Sequence, residues 1–147
     1  MAQDQHGRGG DETLAIIRRF HDAFNRHDVD TLMALMTEHC VFEHTLPRPD
    51  GARYAGWAAV RACWEGFFRS SPQATFEVEE RFAAGDRAVE RWIYRWSEAT
   101  GTGGHVRGVD IFRVRAGKVC EKLSYVKGWA TGGPESIGSD WSRERPA

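Results

Sequence analysis

Residues 105–127 read HVRGVDIFRVRAGKVCEKLSYVK, and this stretch decides the fold. In its first half Val106, Asp110, Phe112 and Val114 alternate with more polar positions, and then the pair Ala116-Gly117 interrupts the alternation. An alternation of period two, broken by a turn and then resumed, predicts two antiparallel strands at 105–115 and 118–127. The alternating residues named above are mostly small and apolar, so we expect their side of the strand to face the core, and Asp110 lies on that side.

Two further strands are predicted upstream, at 75–83 and 87–98, separated from each other and from the hairpin by turns at 85–86 and 101–104. Short turns without intervening helices predict an antiparallel meander. On the second strand Glu90, Trp92, Tyr94 and Trp96 share the side that we expect to face inward, although a bulge would reverse it. On the first strand Glu80 shares its face with Phe76, Val78 and Phe82 by simple alternation.

Helical periodicity replaces the strand pattern before Pro72. Asp11 is the predicted N-cap of a first helix that ends near residue 26, and Asp28 caps a shorter helix that runs to Met36. A β-rich piece follows at 40–46. The third helix carries apolar residues at 60, 63, 64, 67 and 68 and ends at 70–72. The fold class is therefore α+β, with three N-terminal helices and then a long antiparallel sheet.

Composition limits the functions open to this chain. It has 147 residues, 20 Lys+Arg against 21 Asp+Glu, and a formal net charge of −1. We expect one domain at 11–128 between polar tails at 1–10 and 129–147. The charge balance is unlike that of a nucleic-acid binder. No apolar run approaches the ~20 residues of a membrane span or forms a signal core, so we expect a cytoplasmic protein without a membrane partner.

Aromatic residues make up 12% of the chain, including six Trp, which favours an apolar pocket as well as a core. The three cysteines, Cys40, Cys63 and Cys120, are odd in number and widely spaced, which is typical of reduced thiols rather than of a disulfide framework or a zinc site. The histidines show no ligand spacing either. We therefore predict no metal and no cofactor.

Asp110 stands out because a lone carboxylate on an apolar face is costly unless it is hydrogen-bonded or paired. Either it is a structural residue tied to the backbone or to a His, or it is an acid or base of a functional site. The pattern leaves both open. On the opposite face Val109 and Ile111, with Leu123 and Tyr125, form an apolar stripe, and we expect the protein to form a homodimer through this outer sheet face.

Three segments carry a resemblance to a known family: RRFHDAFNRHDVD at 18–30, FEH at 42–44, and GVDIFRVRAGKV at 108–119 with the following Glu121-Lys122. Across residues 12–128 the chain resembles the nuclear transport factor 2 superfamily, in its SnoaL-like polyketide cyclase and ketosteroid isomerase branch. The resemblance implies a strongly curved sheet that closes a cone against the helices, a cystatin-like α+β barrel. This fold supports many reactions, so it does not by itself define one.

The resemblance also implies roles for single residues. Asp110 matches the strand aspartate that is the general acid/base of the cyclases and a protonated oxyanion-hole acid in the isomerases. His44 stands where the isomerases have their aspartate base, and Phe20 where they have their oxyanion-hole tyrosine. Ser124 stands where limonene epoxide hydrolases have an acidic residue. These departures argue against ordinary ketosteroid isomerisation and against epoxide hydrolysis.

The leading hypothesis is a cofactor-independent acid/base enzyme of cyclase, isomerase or dehydratase type, acting on a hydrophobic carbonyl-bearing small molecule. His44 and Asp110 are its predicted catalytic residues: the neutral imidazole of His44 is expected to take a proton, and the buried carboxylic acid of Asp110 to donate one or to hydrogen-bond an enolate. The alternative is a non-catalytic small-molecule-binding or dimerisation module, in which these two residues only hydrogen-bond each other or the backbone. The predicted pocket lining consists of Phe20, Phe24, Tyr54, Trp57, Trp64, Phe68, Trp92, Tyr94, Trp96, Phe112, Lys122 and Ser124. Of these, Lys122 is expected to reach the rim of the pocket, where it would meet an anionic group of the substrate.

Overall fold

The computed structural model describes residues 2–97 and 103–128, with side chains from residue 9 to 96 and from 103 to 128. The predicted α+β fold is confirmed. In chain order the elements are α1 (Ala2–Asn25), α2 (Val29–Ala34), β1 (Met36–Glu43), β2 (Arg53–Ala55), α3 (Trp57–Ser70), β3 (Phe76–Ala84), β4 (Arg87–Ser97), β5 (Gly103–Arg115) and β6 (Lys118–Lys127).

The six strands form one curved sheet in the order β2-β1-β6-β5-β4-β3. Strands β3 to β6 are the predicted antiparallel meander. Two features were not predicted: the short β2, which pairs antiparallel with β1, and the parallel pairing of β1 with β6. The parallel pair joins residues about eighty positions apart, such as Val41 and Glu121, and alternation along either strand does not show it.

A bulge in β3 corrects one predicted face. The pairing of β3 with β4 slips by one residue between Val78 and Glu80, so Glu79 is an extra residue in the strand. Beyond the bulge the alternation is reversed: Arg81 faces inward, while Glu80 and the half-exposed Phe82 face out. The prediction that Glu80 shares a face with Val78 is therefore wrong, because it assumed an unbroken strand.

A second bulge lies in β6. Arg113 pairs with Glu121 and the next residue, Val114, with Val119, which leaves Cys120 without an opposite partner. Val119 is therefore fully buried rather than on the side of Glu121, where simple alternation would put it.

Helix α1 begins at Ala2, so the predicted N-cap Asp11 lies inside the helix and residues 2–10 continue it. Next to Asp11 the helix packs on the β3–β4 turn, where the buried Thr13 hydroxyl donates a 2.7 Å hydrogen bond to Gly85 O. The predicted tail at 129–147, with Trp129 and Trp141, lies outside the described residues.

Helix α2 is capped by Asp28 as predicted, since its side chain accepts the Thr31 N–H at 3.1 Å. It ends at Ala34, and Met36 begins β1 rather than ending the helix. The described helices include none that is long and apolar enough to cross a membrane.

The main core lies between the three helices and the concave face of the sheet. Phe20 on α1 makes edge-on contacts with Trp64 on α3, at 5.5 Å between ring centroids, and with Phe112 on β5, at 5.6 Å. A smaller cluster around Trp92, Tyr94 and Val106 occupies the other end of the concave face. Between the two clusters a cavity remains open.

Candidate functional site

One cross-strand level of the concave face is polar. Arg81 on β3 pairs with Glu90 on β4, Glu90 with Asp110 on β5, and Asp110 with Ser124 on β6. Neighbouring strands lie about 4.8 Å apart, so these four residues form a continuous row across the sheet. We call this set, Arg81, Glu90, Asp110 and Ser124, the polar row.

The parallel pairing of β1 brings His44 to the end of the polar row. Glu43, the last residue of β1, pairs with Leu123, so His44 follows at the level of Ser124. Residues 44 and 110 are therefore brought to the same level of the sheet by a pairing that the sequence pattern did not reveal.

Asp110 is buried and held by two donors. The Ser124 hydroxyl donates to Oδ1 at 2.6 Å, and the Lys122 ammonium lies 3.3 Å from Oδ2. Lys122 also donates to the Ser124 oxygen at 2.9 Å, which closes a three-membered polar cluster. Both carboxylate oxygens face donors, an arrangement that suits an ionised carboxylate. Asp110 is tied to Lys122 and Ser124, rather than to backbone or to a His as the structural alternative supposed.

Lys122 does not reach out to the rim. It is 7% exposed, and its Nζ lies over the ring of Phe42 at 4.6 Å, with the rings of Phe24 and Phe112 at 5.9 and 6.0 Å. The negative faces of these rings, together with Asp110, stabilise a buried cation that would otherwise be costly.

Glu90, at the other half of the polar row, is 2% exposed and carries a second ion pair. Arg81 donates to Oε2 through Nε at 2.8 Å and Nη2 at 2.6 Å, and His21 Nδ1 lies 2.8 Å from Oε1. Burial by itself would raise the pKa of the Glu90 carboxyl, but the hydrogen bonds and charges of His21 and Arg81 outweigh it and lower that pKa from 4.5.

Asn25 orients His21. Its amide nitrogen lies 3.0 Å from His21 Nε2 and 2.9 Å from Phe76 O, while its oxygen accepts the Phe76 N–H at 2.9 Å. The Phe76 N–H fixes which end of the amide is oxygen, so the amide nitrogen can donate to Phe76 O. His21 Nε2 itself lies 2.9 Å from Phe76 O, so the two ring nitrogens of His21 face two acceptors, Glu90 Oε1 and Phe76 O.

His44 has a defined tautomer. Its Nδ1 accepts the backbone N–H of Leu46 at 2.8 Å, so the proton of the neutral ring is assigned to Nε2. In this form the ring donates from Nε2. The hydrogen bond thus favours a donor role over the proton-accepting role expected from the sequence.

The cavity above the polar row is lined by both His44 and Asp110. The space open to the centre of a water-sized sphere is about 90 Å³. On the same measure a single water molecule needs about 10–15 Å³. The cavity therefore has room for several water molecules, or for a small ring-bearing molecule in their place. Ten of the fourteen predicted site residues line it: Phe20, Phe24, His44, Trp64, Trp92, Tyr94, Asp110, Phe112, Lys122 and Ser124.

Four predicted lining residues lie elsewhere. Tyr54 on β2 stacks on Phe42 from the edge of the sheet, and Trp57 is 39% exposed at the start of α3. Phe68 on α3 stacks on His27, which follows the end of α1, and Trp96 lies beyond Tyr94 towards the end of β4. Each is near the helix or strand that forms the cavity wall, but none lines the cavity.

Other residues that line the cavity were not predicted as site residues, among them His21 and Glu90. A signal existed for Glu90, because it shares the inward face of β4 with Trp92 and Tyr94. Its partner His21 lies on α1. Neither the helical pattern of α1 nor the alternation of β4 shows which helix residue packs against which strand residue, so this contact could not be predicted. Within the described residues there is no group of three His, Cys, Asp or Glu side chains that could hold a metal ion.

Burial raises the pKa of the Tyr94 phenol, an effect that the nearby Ser71 hydroxyl partly offsets. Tyr94 is therefore a neutral hydrogen-bonding group of the cavity wall near pH 7.

Solved structures with the same fold include proteins of related names. A nuclear transport factor 2-like protein of unknown function from Mesorhizobium loti is 44% identical, with a TM-score of 0.69, and the match covers 81% of this chain and 93% of that one. A protein from Jannaschia sp. CCS1, provisionally named a SnoaL-like polyketide cyclase, is 18% identical with a TM-score of 0.68, and the match covers 80% and 87% of the two chains.

A protein from Kribbella flavida, provisionally named a ketosteroid isomerase, is 20% identical with a TM-score of 0.65, and the match covers 83% of this chain and 82% of that one. No curated protein sequence matches the chain significantly. Residues 17–122, which include all of the polar row except Ser124, match the family of SnoaL-like domains. This chain belongs to the SnoaL-like domain family.

Proposed function

We propose that the protein is an acid/base enzyme that removes a proton from carbon next to a carbonyl group of a hydrophobic small molecule, without a cofactor. Ring closure, loss of water or reprotonation would then complete a cyclase, dehydratase or isomerase reaction. The observation that carries the proposal is the Asp110 carboxylate, held between Lys122 and Ser124 and lining an aromatic cavity.

Asp110 is the base in this scheme. Its two carboxylate oxygens face the Lys122 ammonium and the Ser124 hydroxyl, and its burial leaves little of the carboxylate exposed to bulk water. A carboxylate is a weak base in water, so its effectiveness depends on stabilising the charge that the substrate acquires.

Lys122 supplies part of that stabilisation. Before proton transfer its ammonium group faces the Asp110 carboxylate at 3.3 Å. When Asp110 takes the proton, the negative charge moves to the enolate oxygen or carbon of the substrate, and the fixed ammonium remains beside it. A charge held in place by three aromatic rings needs little reorganisation during the reaction.

His44 completes the scheme as a hydrogen-bond donor. Its Nε2–H would donate to the carbonyl oxygen and strengthen as the enolate develops. The acid and base would thus be reversed relative to the sequence-based scheme, in which the imidazole took the proton.

The names of the related structures support the same reaction class, since both provisional names describe chemistry that begins with an enolisable carbonyl. The aromatic lining supports an apolar, ring-bearing ligand.

The experiment measures exchange of the acidic C–H of 2-tetralone in D₂O by NMR, with and without the protein. We expect the protein to accelerate exchange and Asp110→Asn to lower the rate by about 10²-fold or more. His44→Gln should lower it by a smaller factor. Asp50→Asn, which removes an exposed carboxylate outside the cavity lining, is the matched control and should leave the rate unchanged.

The binding-only alternative predicts a different result. If calorimetry shows that 2-tetralone binds while wild-type protein gives no exchange above the buffer rate, the protein is a binding module and the enzymatic proposal is wrong. Equal exchange rates for wild type and Asp110→Asn would remove Asp110 from the mechanism.

A further inference from the structure

We propose that Glu90 is a second ligand-binding group of the cavity, whose Oε1 accepts a hydrogen bond from a hydroxyl group carried by the same molecule that reacts at Asp110. The ligand class is then a cyclic ketone with a hydroxyl group one strand spacing, about 5 Å, from its acidic carbon. The assignment of the reacting carbon rests on the proposed function, whereas the hydroxyl contact rests on Glu90 alone.

The hydrogen-bonding capacity of Glu90 is not exhausted. A carboxylate oxygen offers about two lone pairs. Both Arg81 contacts fill Oε2, while within the described residues Oε1 receives only the His21 Nδ1–H. One acceptor site on Oε1 therefore remains, on a side chain that is 2% exposed to solvent and lines the cavity.

The location of Glu90 matches that of Asp110. The two residues are direct cross-strand partners, so their side chains leave the sheet side by side on its concave face. A flat molecule lying across the strands would contact both, with one strand spacing between the two contacts. Above and below Glu90 on β4 the inward positions are Ala88 and Trp92, so Glu90 is the charged residue of this part of the strand's inward face.

The charges around Glu90 favour a neutral donor. The groups that face it are Arg81, His21 and, across the ladder, Asp110 with its partner Lys122. Two carboxylates oppose an anionic ligand group, and the two cations beside them oppose an ammonium group. A hydroxyl group needs neither charge and donates the hydrogen bond that Oε1 can accept.

The test compares three ketones by calorimetry: 2-tetralone, 7-hydroxy-2-tetralone and 7-methoxy-2-tetralone. The hydroxyl of the second molecule is about one strand spacing from its acidic carbon. A hydrogen bond to a charged acceptor should make 7-hydroxy-2-tetralone bind about tenfold more tightly than 2-tetralone, and the methoxy compound should bind no more tightly than 2-tetralone.

In Glu90→Gln the preference for the hydroxyl should fall below about threefold, because the amide is a weaker acceptor. Asp110→Asn should keep the preference, since its side chain is not the acceptor. Should Glu90→Gln fail to fold, the wild-type comparison of hydroxyl with methoxy still decides the proposal.

Equal affinities of wild type for the three ketones, or a preference that survives in folded Glu90→Gln, would overturn the assignment. The proposed function fails in a distinguishable way: absence of proton exchange together with an intact hydroxyl preference would refute the chemistry but leave Glu90 as a binding residue.

Discussion

The ion pair of Asp110 and Lys122 can be tested by its effect on stability, independently of any substrate. The two side chains are each 9% exposed, and their charged atoms lie 3.3 Å apart. Lys122→Met keeps most of the side-chain volume but removes the charge. It leaves the Asp110 carboxylate buried with the Ser124 hydroxyl as its remaining donor.

Breaking a buried pair from one side typically costs about 3–5 kcal/mol, because an uncompensated charge stays behind. We expect about 3 kcal/mol for Lys122→Met, at the low end because Ser124 still donates to the carboxylate. Asp110→Asn should cost about 2 kcal/mol, since the ring of Phe42 still faces the ammonium at 4.6 Å. The double variant removes both charges, and we expect it to be destabilised by about 2 kcal/mol less than the sum of the single variants.

The measurement is urea unfolding followed by tryptophan fluorescence on the four proteins of the cycle. Glu80 and Arg91 provide a matched control, because they form a 2.8 Å pair at about half exposure. The same cycle with Glu80→Gln and Arg91→Met should give a coupling below about 1 kcal/mol. If the effects of Lys122→Met and Asp110→Asn add to within about 0.5 kcal/mol, or if their coupling is no larger than that of the surface pair, the ion pair of Asp110 and Lys122 does not stabilise the fold as proposed.

Three further predictions follow from other contacts. Because the pKa of Glu90 is lowered from 4.5 in the folded state, its ionised carboxylate stabilises the fold at pH values above 4.5. The unfolding free energy should therefore fall as the pH drops below 4.5, and it should fall less in Glu90→Gln; parallel pH profiles of the urea midpoint for the two proteins would contradict this. Gly108→Ala should cost about 1–3 kcal/mol in thermal unfolding, because a Cβ there would overlap the ring of Trp92, and an unchanged midpoint would contradict the close approach. The expected homodimer through Val109 and the 55% exposed Tyr125 should dissociate in Tyr125→Glu, as measured by light scattering; a monomeric wild type would refute it.

Sequence patterns predicted the features that depend on one strand and its own turn, and they did not predict the features that depend on a neighbouring strand. The β5–β6 hairpin follows from alternation and one turn, so the strand from residue 118 to 127 was predicted to the residue. The bulges at Glu79 and Cys120 were not predicted, because a bulge is defined by the neighbouring strand and not by the strand that contains it. The parallel β1–β6 pair was missed for the same reason.

The site follows the same rule. Asp110 was identified because its own strand makes it an exception, a polar residue in an apolar series. Lys122 was expected to extend towards the rim and is instead buried over aromatic rings that come from α1, β1 and β5. His44 was chosen by resemblance, but its tautomer depends on the backbone of Leu46, a contact made by the local chain path after β1. The catalytic roles of Asp110 and His44 stay predictions until proton exchange is measured.

The parallel pairing of β1 with β6 also has a consequence for how the protein folds. It joins Val41 to Glu121, and a contact of that sequence separation forms only after a long loop has closed, which makes it slow relative to the hairpins. The polar row and His44 therefore come together only when this closure is complete. A ligand that bridges His44 and Asp110 would report on the finished tertiary structure, so recovery of ligand binding during refolding should lag behind formation of the β3–β6 meander.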